Sequence, residues 1–114
     1  MKIIYAGNRS FALKNFGKKF KNEISVFAIK NSFLEKYAET NGYKLETFSS
    51  KQEIYDLLKK IKNKTLFISC GIPFKINIDK FPLIAFLNIH PSLLPSLKGR
   101  DPGIGLLLKG GKLG

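Results

Sequence analysis

Leu83-Ile84-Ala85-Phe86-Leu87-Asn88-Ile89-His90-Pro91-Ser92-Leu93-Leu94-Pro95 begins as a buried strand and continues as a proline-stiffened loop. His90 is the single histidine of the chain. Side chains two apart on a strand share a face, so Asn88 and His90 would present an amide donor beside a titratable imidazole. Pro91 has no N–H for a ladder bond and disfavours helix at His90, which stops the strand with both polar groups at its carboxyl end. In an open α/β sheet that edge is where ligands bind.

Working outward, the preceding apolar run Thr65-Leu66-Phe67-Ile68-Ser69-Cys70 reads as a central strand opening into Gly71-Ile72-Pro73-Phe74. Before it, Ser50-Lys51-Gln52-Glu53 has the form of a capping box. Ile54, Leu57, Leu58 and Ile61 then follow at the spacing of an amphipathic helix. Lys44-Leu45-Glu46-Thr47-Phe48 alternates like a half-buried edge strand. A second box, Ser32-Phe33-Leu34-Glu35, starts a helix that Gly42 ends. Residues 24–29 and 2–6 complete the strands, and Ser10 is placed to cap a helix carrying Leu13, Phe16 and Phe20 on one stripe, weakened at Gly17. A further helix is expected over 104–109, although glycines at 103, 105, 110, 111 and 114 oppose it.

Strands and helices alternate with short connections, which specifies right-handed βαβ crossovers. The expected fold is a Rossmann-like, open, mostly parallel five-stranded α/β sheet with helices on both faces and strand order 3-2-1-4-5. That order sets Gly7-Asn8-Arg9-Ser10 and Cys70-Gly71-Ile72-Pro73 opposite one another at the topological switch.

The 114 residues bound the chain to one domain. Its formal net charge of +12 would attract phosphates, RNA or nucleotides without conferring specificity, and lysine-rich codon usage or solubility accounts for it more readily than a dedicated nucleic-acid surface does. One cysteine allows no intrachain disulfide, and nothing in the Cys and His pattern suggests a metal site. With no signal-peptide core and no long apolar run, a cytoplasmic protein without a membrane span is expected. The first βα turn lacks the glycine fingerprint of dinucleotide binding, so NAD is not expected, though amides there could receive a phosphate or carboxylate. Cys70 reads as a core residue more readily than as a nucleophile. Ser92 has no nucleophile elbow around it, which argues against a serine hydrolase.

Asn-Ile-His-Pro-Ser-Leu-Leu-Pro, followed by Lys98-Gly99-Arg100-Asp101-Pro102, resembles the signature of the folate-dependent formyltransferases, a family that includes methionyl-tRNA, glycinamide ribonucleotide and sugar-amine formyltransferases. The resemblance extends over nearly the whole chain, to that family's N-terminal domain. It implies transfer of a formyl group from N10-formyltetrahydrofolate to a primary amine, on tRNA or on a nucleotide-linked sugar. By match, Asn88 and His90 are catalytic. Cys70, Gly71, Ile72, Pro73 and Phe74 would lie against the folate, and Gly7, Asn8, Arg9 and Ser10, with Ser92, Leu93 and Leu94, toward the acceptor.

The family also uses an aspartate from a segment well downstream of the histidine. Only 24 residues follow His90, and Asp101 does not correspond to that aspartate. The expectation is therefore a chain incomplete at its C-terminus, either part of an enzyme or an inactive remnant that at most binds folate. A basic RNA-binding module is a third reading. The strand over 83–89 would then be an open apolar edge, prone to aggregation or to cover by an oligomer or partner.

Overall fold

The computed structural model of the protein describes residues 2–89 and 106–108. It contains β1 (Lys2–Gly7), α1 (Phe11–Phe16), β2 (Ile24–Ile29), α2 (Phe33–Thr40), β3 (Lys44–Phe48), α3 (Lys51–Lys59), β4 (Thr65–Cys70), β5 (Ile84–Ile89) and β6 (Leu106–Leu108). Short 3-10 turns at Lys21–Glu23 and Ile78–Lys80 lead toward β2 and β5. The sheet order is β3-β2-β1-β4-β5-β6, with the first five strands parallel, as the alternation of strands and helices predicts.

Alternation along each strand divides the core into two layers. Tyr5, Val26, Ile68 and Cys70 pack with Leu13 of α1 and with Leu34 and Ala38 of α2. On the opposite face, Ile4, Phe27, Phe67 and Phe86 pack with Ile54 and Leu58 of α3. Helices therefore cover both faces.

Both capping boxes form, with one difference from the expected pattern. Ser32 and Ser50 accept from the amides of Glu35 and Glu53, each at 3.2 Å. The glutamates reach back one residue beyond the caps, to the amides of Asn31 at 2.6 Å and Ser49 at 2.9 Å. Ser10 sits at the N-cap of α1, but its side chain makes no cap bond there. That helix stops at Phe16, so Phe20 leaves the expected stripe and is 39% exposed.

The expected helix over 104–109 is corrected, since its described part, Leu106–Leu108, is a strand antiparallel to β5. Glycines flanking a three-leucine run cannot sustain a helix, while the unpaired backbone of β5 offers those leucines a ladder. The pairing Leu87↔Leu108, Asn88↔Leu107 and Ile89↔Leu106 also closes the carboxyl half of the edge expected to be open. Leu83 lies before the strand, in a turn where Ile84 N–H donates to the Phe81 carbonyl at 3.0 Å.

Candidate functional site

At the carboxyl ends of β4 and β5, on the face covered by α3, a cavity of about 320 Å³ opens. The strands set its floor. Phe67 of β4 and Phe86 of β5 are register partners whose ring centroids lie 5.1 Å apart. Two residues further on, Ser69 pairs with Asn88. Period-two alternation thus delivers an aromatic pair and then a polar pair to the same surface. The loop after β4 lines the rest through Ile72, Pro73, Phe74 and Ile76, and exposed Lys75 brings a cation. Phe74 is held edge-on against Phe48, with centroids 6.3 Å apart.

The Ser69 hydroxyl donates to Asn88 Oδ1 at 2.6 Å. This bond anchors the Asn88 side chain at the edge of the cavity. Sequence reading passed over Ser69. Its signal was a polar residue at the end of an apolar strand, but the Ser69↔Asn88 register exists only once β4 and β5 pair.

Of the residues expected to meet the folate, Ile72, Pro73 and Phe74 come together with Asn88 in this cavity. Cys70 and Gly71 lie elsewhere. Cys70 is fully buried on the other face, beside Tyr5, and burial pushes its thiol pKa upward against the smaller opposing effects of Tyr5 and Arg9. Its carbonyl accepts from the amides of Asn8 at 3.1 Å and Arg9 at 3.4 Å. These bonds stitch the two loops of the topological switch together. Gly7 and Gly71 permit that approach, with φ of +134° and +86°. A Cβ on Gly7 would collide with the Cys70 carbonyl, and one on Gly71 with Asn8 Oδ1.

The amides of Asn8 and Arg9 are therefore engaged, and contacts from these two residues to a ligand must come chiefly through side chains. Asn8 and Arg9 line a second cavity, of about 380 Å³, with Asn31, Ser32, Phe33 and Lys36. Asn8 Oδ1 is buried without a hydrogen-bond partner among the described residues. Gly7 is buried in β1, and Ser10 lies at the start of α1. His90, Ser92, Leu93 and Leu94 lie outside the described residues.

Among the described residues, no cluster of three or more His, Cys, Asp or Glu side chains is arranged to hold a metal. No described helix is long and apolar enough to cross a membrane. Comparison with family models, curated proteins and solved structures finds no match to this chain.

Proposed function

We propose that the chain is the N-terminal part of a folate-dependent formyltransferase whose β4–β5 cavity takes the formyl-bearing end of N10-formyltetrahydrofolate. The acceptor in this reading is a primary amine on methionyl-tRNA or on a nucleotide-linked amino sugar. The observation that carries it is the meeting of Ile72, Pro73 and Phe74 with Asn88 in one cavity. The motif resemblance ties the first segment to the folate and the second to the chemistry, and they are distant in sequence.

The lining suits such a ligand. A flat heteroaromatic ring is matched by Phe67, Phe86 and Ile72, and the volume falls within the few hundred Å³ usual for small-molecule sites. Lys75 complements an anionic tail. The folate, when bound, supplies an activated formyl group whose oxygen gains negative charge as the amine attacks. In this reading the Asn88 side-chain amide meets that charge, steadied by its hydrogen bond with Ser69. In this reading His90 supplies a second donor. Among the described residues the lining contains no carboxylate, so in this reading the group that takes up the amine proton comes from elsewhere.

Titrating the full chain with 5-formyltetrahydrofolate, a non-transferring analogue, tests the proposal. Saturable binding weakened roughly tenfold by Asn88→Ala supports it, and no saturable binding overturns it. Formyl transfer to methionyl-tRNA or an amino sugar supports the full enzymatic reading. Binding without transfer supports the remnant. RNA affinity that is salt-dependent and survives His90→Ala, with no folate binding, supports the basic-module reading instead.

A further inference from the structure

We infer that the outer edge of β3 pairs with the same strand of a second copy of this chain, antiparallel and centred on Leu45, so that each Lys44 faces the other copy's Glu46. No residue of β3 lines the β4–β5 cavity, and the inference is independent of the formyl-donor reading.

Backbone geometry is the first argument. β3 ends the sheet order, and among the described residues β2 is the strand that pairs with it. The N–H of Lys30, the residue after β2, donates to the Phe48 carbonyl at 2.9 Å, so the backbone groups of Phe48 point inward to β2. The N–H and C=O of one strand residue point the same way, and the direction alternates along the strand. Those of Lys44 and Glu46 therefore face β2, and those of Leu45 and Thr47 face outward. An outward row of this kind is a template for a further strand.

Charge selects the partner and the register. With the pairing centred on Leu45, the two Leu45 residues exchange their N–H and C=O bonds. Lys44 and the other copy's Glu46 then form a non-hydrogen-bonded pair, the kind in which side chains come closest. Both side chains are exposed, and opposite charges directly across a ladder stabilise it. Sliding the register by two residues instead sets either the two Glu46 carboxylates or the two Lys44 ammonium groups against each other. A slip of one residue sets outward backbone groups against inward ones. Lys44-Leu45-Glu46 is thus self-complementary in a single antiparallel register. The surroundings favour the same pairing, because Lys44 and Glu46 share a cleft with Lys2 and Lys60, in which Glu46 is the one carboxylate among three lysines. The second copy brings another carboxylate to Lys44. The same patch serves both copies, so the contact closes at a dimer. One strand of five residues from each copy is a small contact beside the roughly 1,600 Å² of a standard interface, and the dimer forms reversibly with concentration.

The test is sedimentation equilibrium of the full chain over a range of concentrations, with the variants Lys44→Glu and Glu46→Lys. The parent should pass from monomer to dimer as concentration rises. Either substitution alone sets like charges across both pairs and should weaken self-association roughly tenfold or more. The two variants mixed should form a heterodimer, since every pair then joins a glutamate to a lysine, and the doubly substituted chain should recover self-association. Both positions are exposed, so far-UV circular dichroism should stay at the parental spectrum. Hydrogen exchange of the Leu45 amide should slow as the dimer forms, while the Lys44 and Glu46 amides, which face β2, stay as they are. A monomer at every concentration overturns the inference, as does a dimer that both single substitutions leave intact, or a mixture that gives no heterodimer.

Discussion

Ser69 and Asn88 illustrate how a side chain acquires a role from its neighbour. The Ser69 hydroxyl, donating to Asn88 Oδ1 at 2.6 Å, steadies a side chain that lines the cavity. Replacing Ser69 with alanine should cost about 1 kcal/mol in urea denaturation, the usual worth of a hydrogen bond. It should also weaken 5-formyltetrahydrofolate binding and shift the Asn88 side-chain amide resonances. A stability loss with unchanged resonances and affinity would reduce Ser69 to a structural role. Gly71 makes the complementary point. Its φ of +86° and the adjacent Asn8 leave no space for a Cβ, so Gly71→Ala should destabilise the chain by about 1–3 kcal/mol. Truncating the neighbour as well, with Asn8→Gly, should recover the part due to collision and leave the part due to backbone strain.

At the scale of elements, the helices and the last strand hold their places for different reasons. α2 and α3 begin where a serine and a glutamate satisfy amides at the helix start, and Ser50→Ala should lower stability by about 1 kcal/mol through that end alone. β6 has no such local signal and exists through its ladder to β5. N–H groups alternate in direction along a strand, so of Leu106→Pro and Leu107→Pro one must remove a donor aimed at β5. That variant should raise the average mass in light scattering, because it reopens an apolar edge. Unchanged masses for both would show that β6 is not what keeps the edge from pairing.

At the scale of the whole molecule, two titratable groups sit in one layer of the core. Burial raises the pKa of Tyr5, with a further increase from Cys70, and burial likewise raises that of Cys70. A group whose folded pKa lies above its unfolded one favours the folded state below the unfolded pKa, and that stability is lost as pH rises toward the folded value. With unfolded thiol and phenol pKa values of about 8.5 and 10, urea midpoints should fall through the alkaline range. Tyr5→Phe should flatten that fall, and a parallel decline would show that other groups dominate. The layered sheet itself was legible in the chain. Uninterrupted apolar runs at 65–70 and 24–29, two serine-glutamate boxes and the 54-57-58-61 spacing are local features, and local features determine which segments are strands and which are helices. They also determined strand order, because short connections leave few crossovers open. The sequence by itself likewise marked Asn88 and the Cys70–Phe74 loop as worth attention, of which Ile72, Pro73 and Phe74 reach the cavity with Asn88. Only the tertiary structure decided which faces they share: Ser69 meets Asn88, Cys70 turns to the opposite layer, Arg9 joins Phe33 and Lys36, and a leucine run becomes a strand. Each of these depends on register between segments far apart in the chain, and register is set by what packs across the sheet rather than by any residue's own preference.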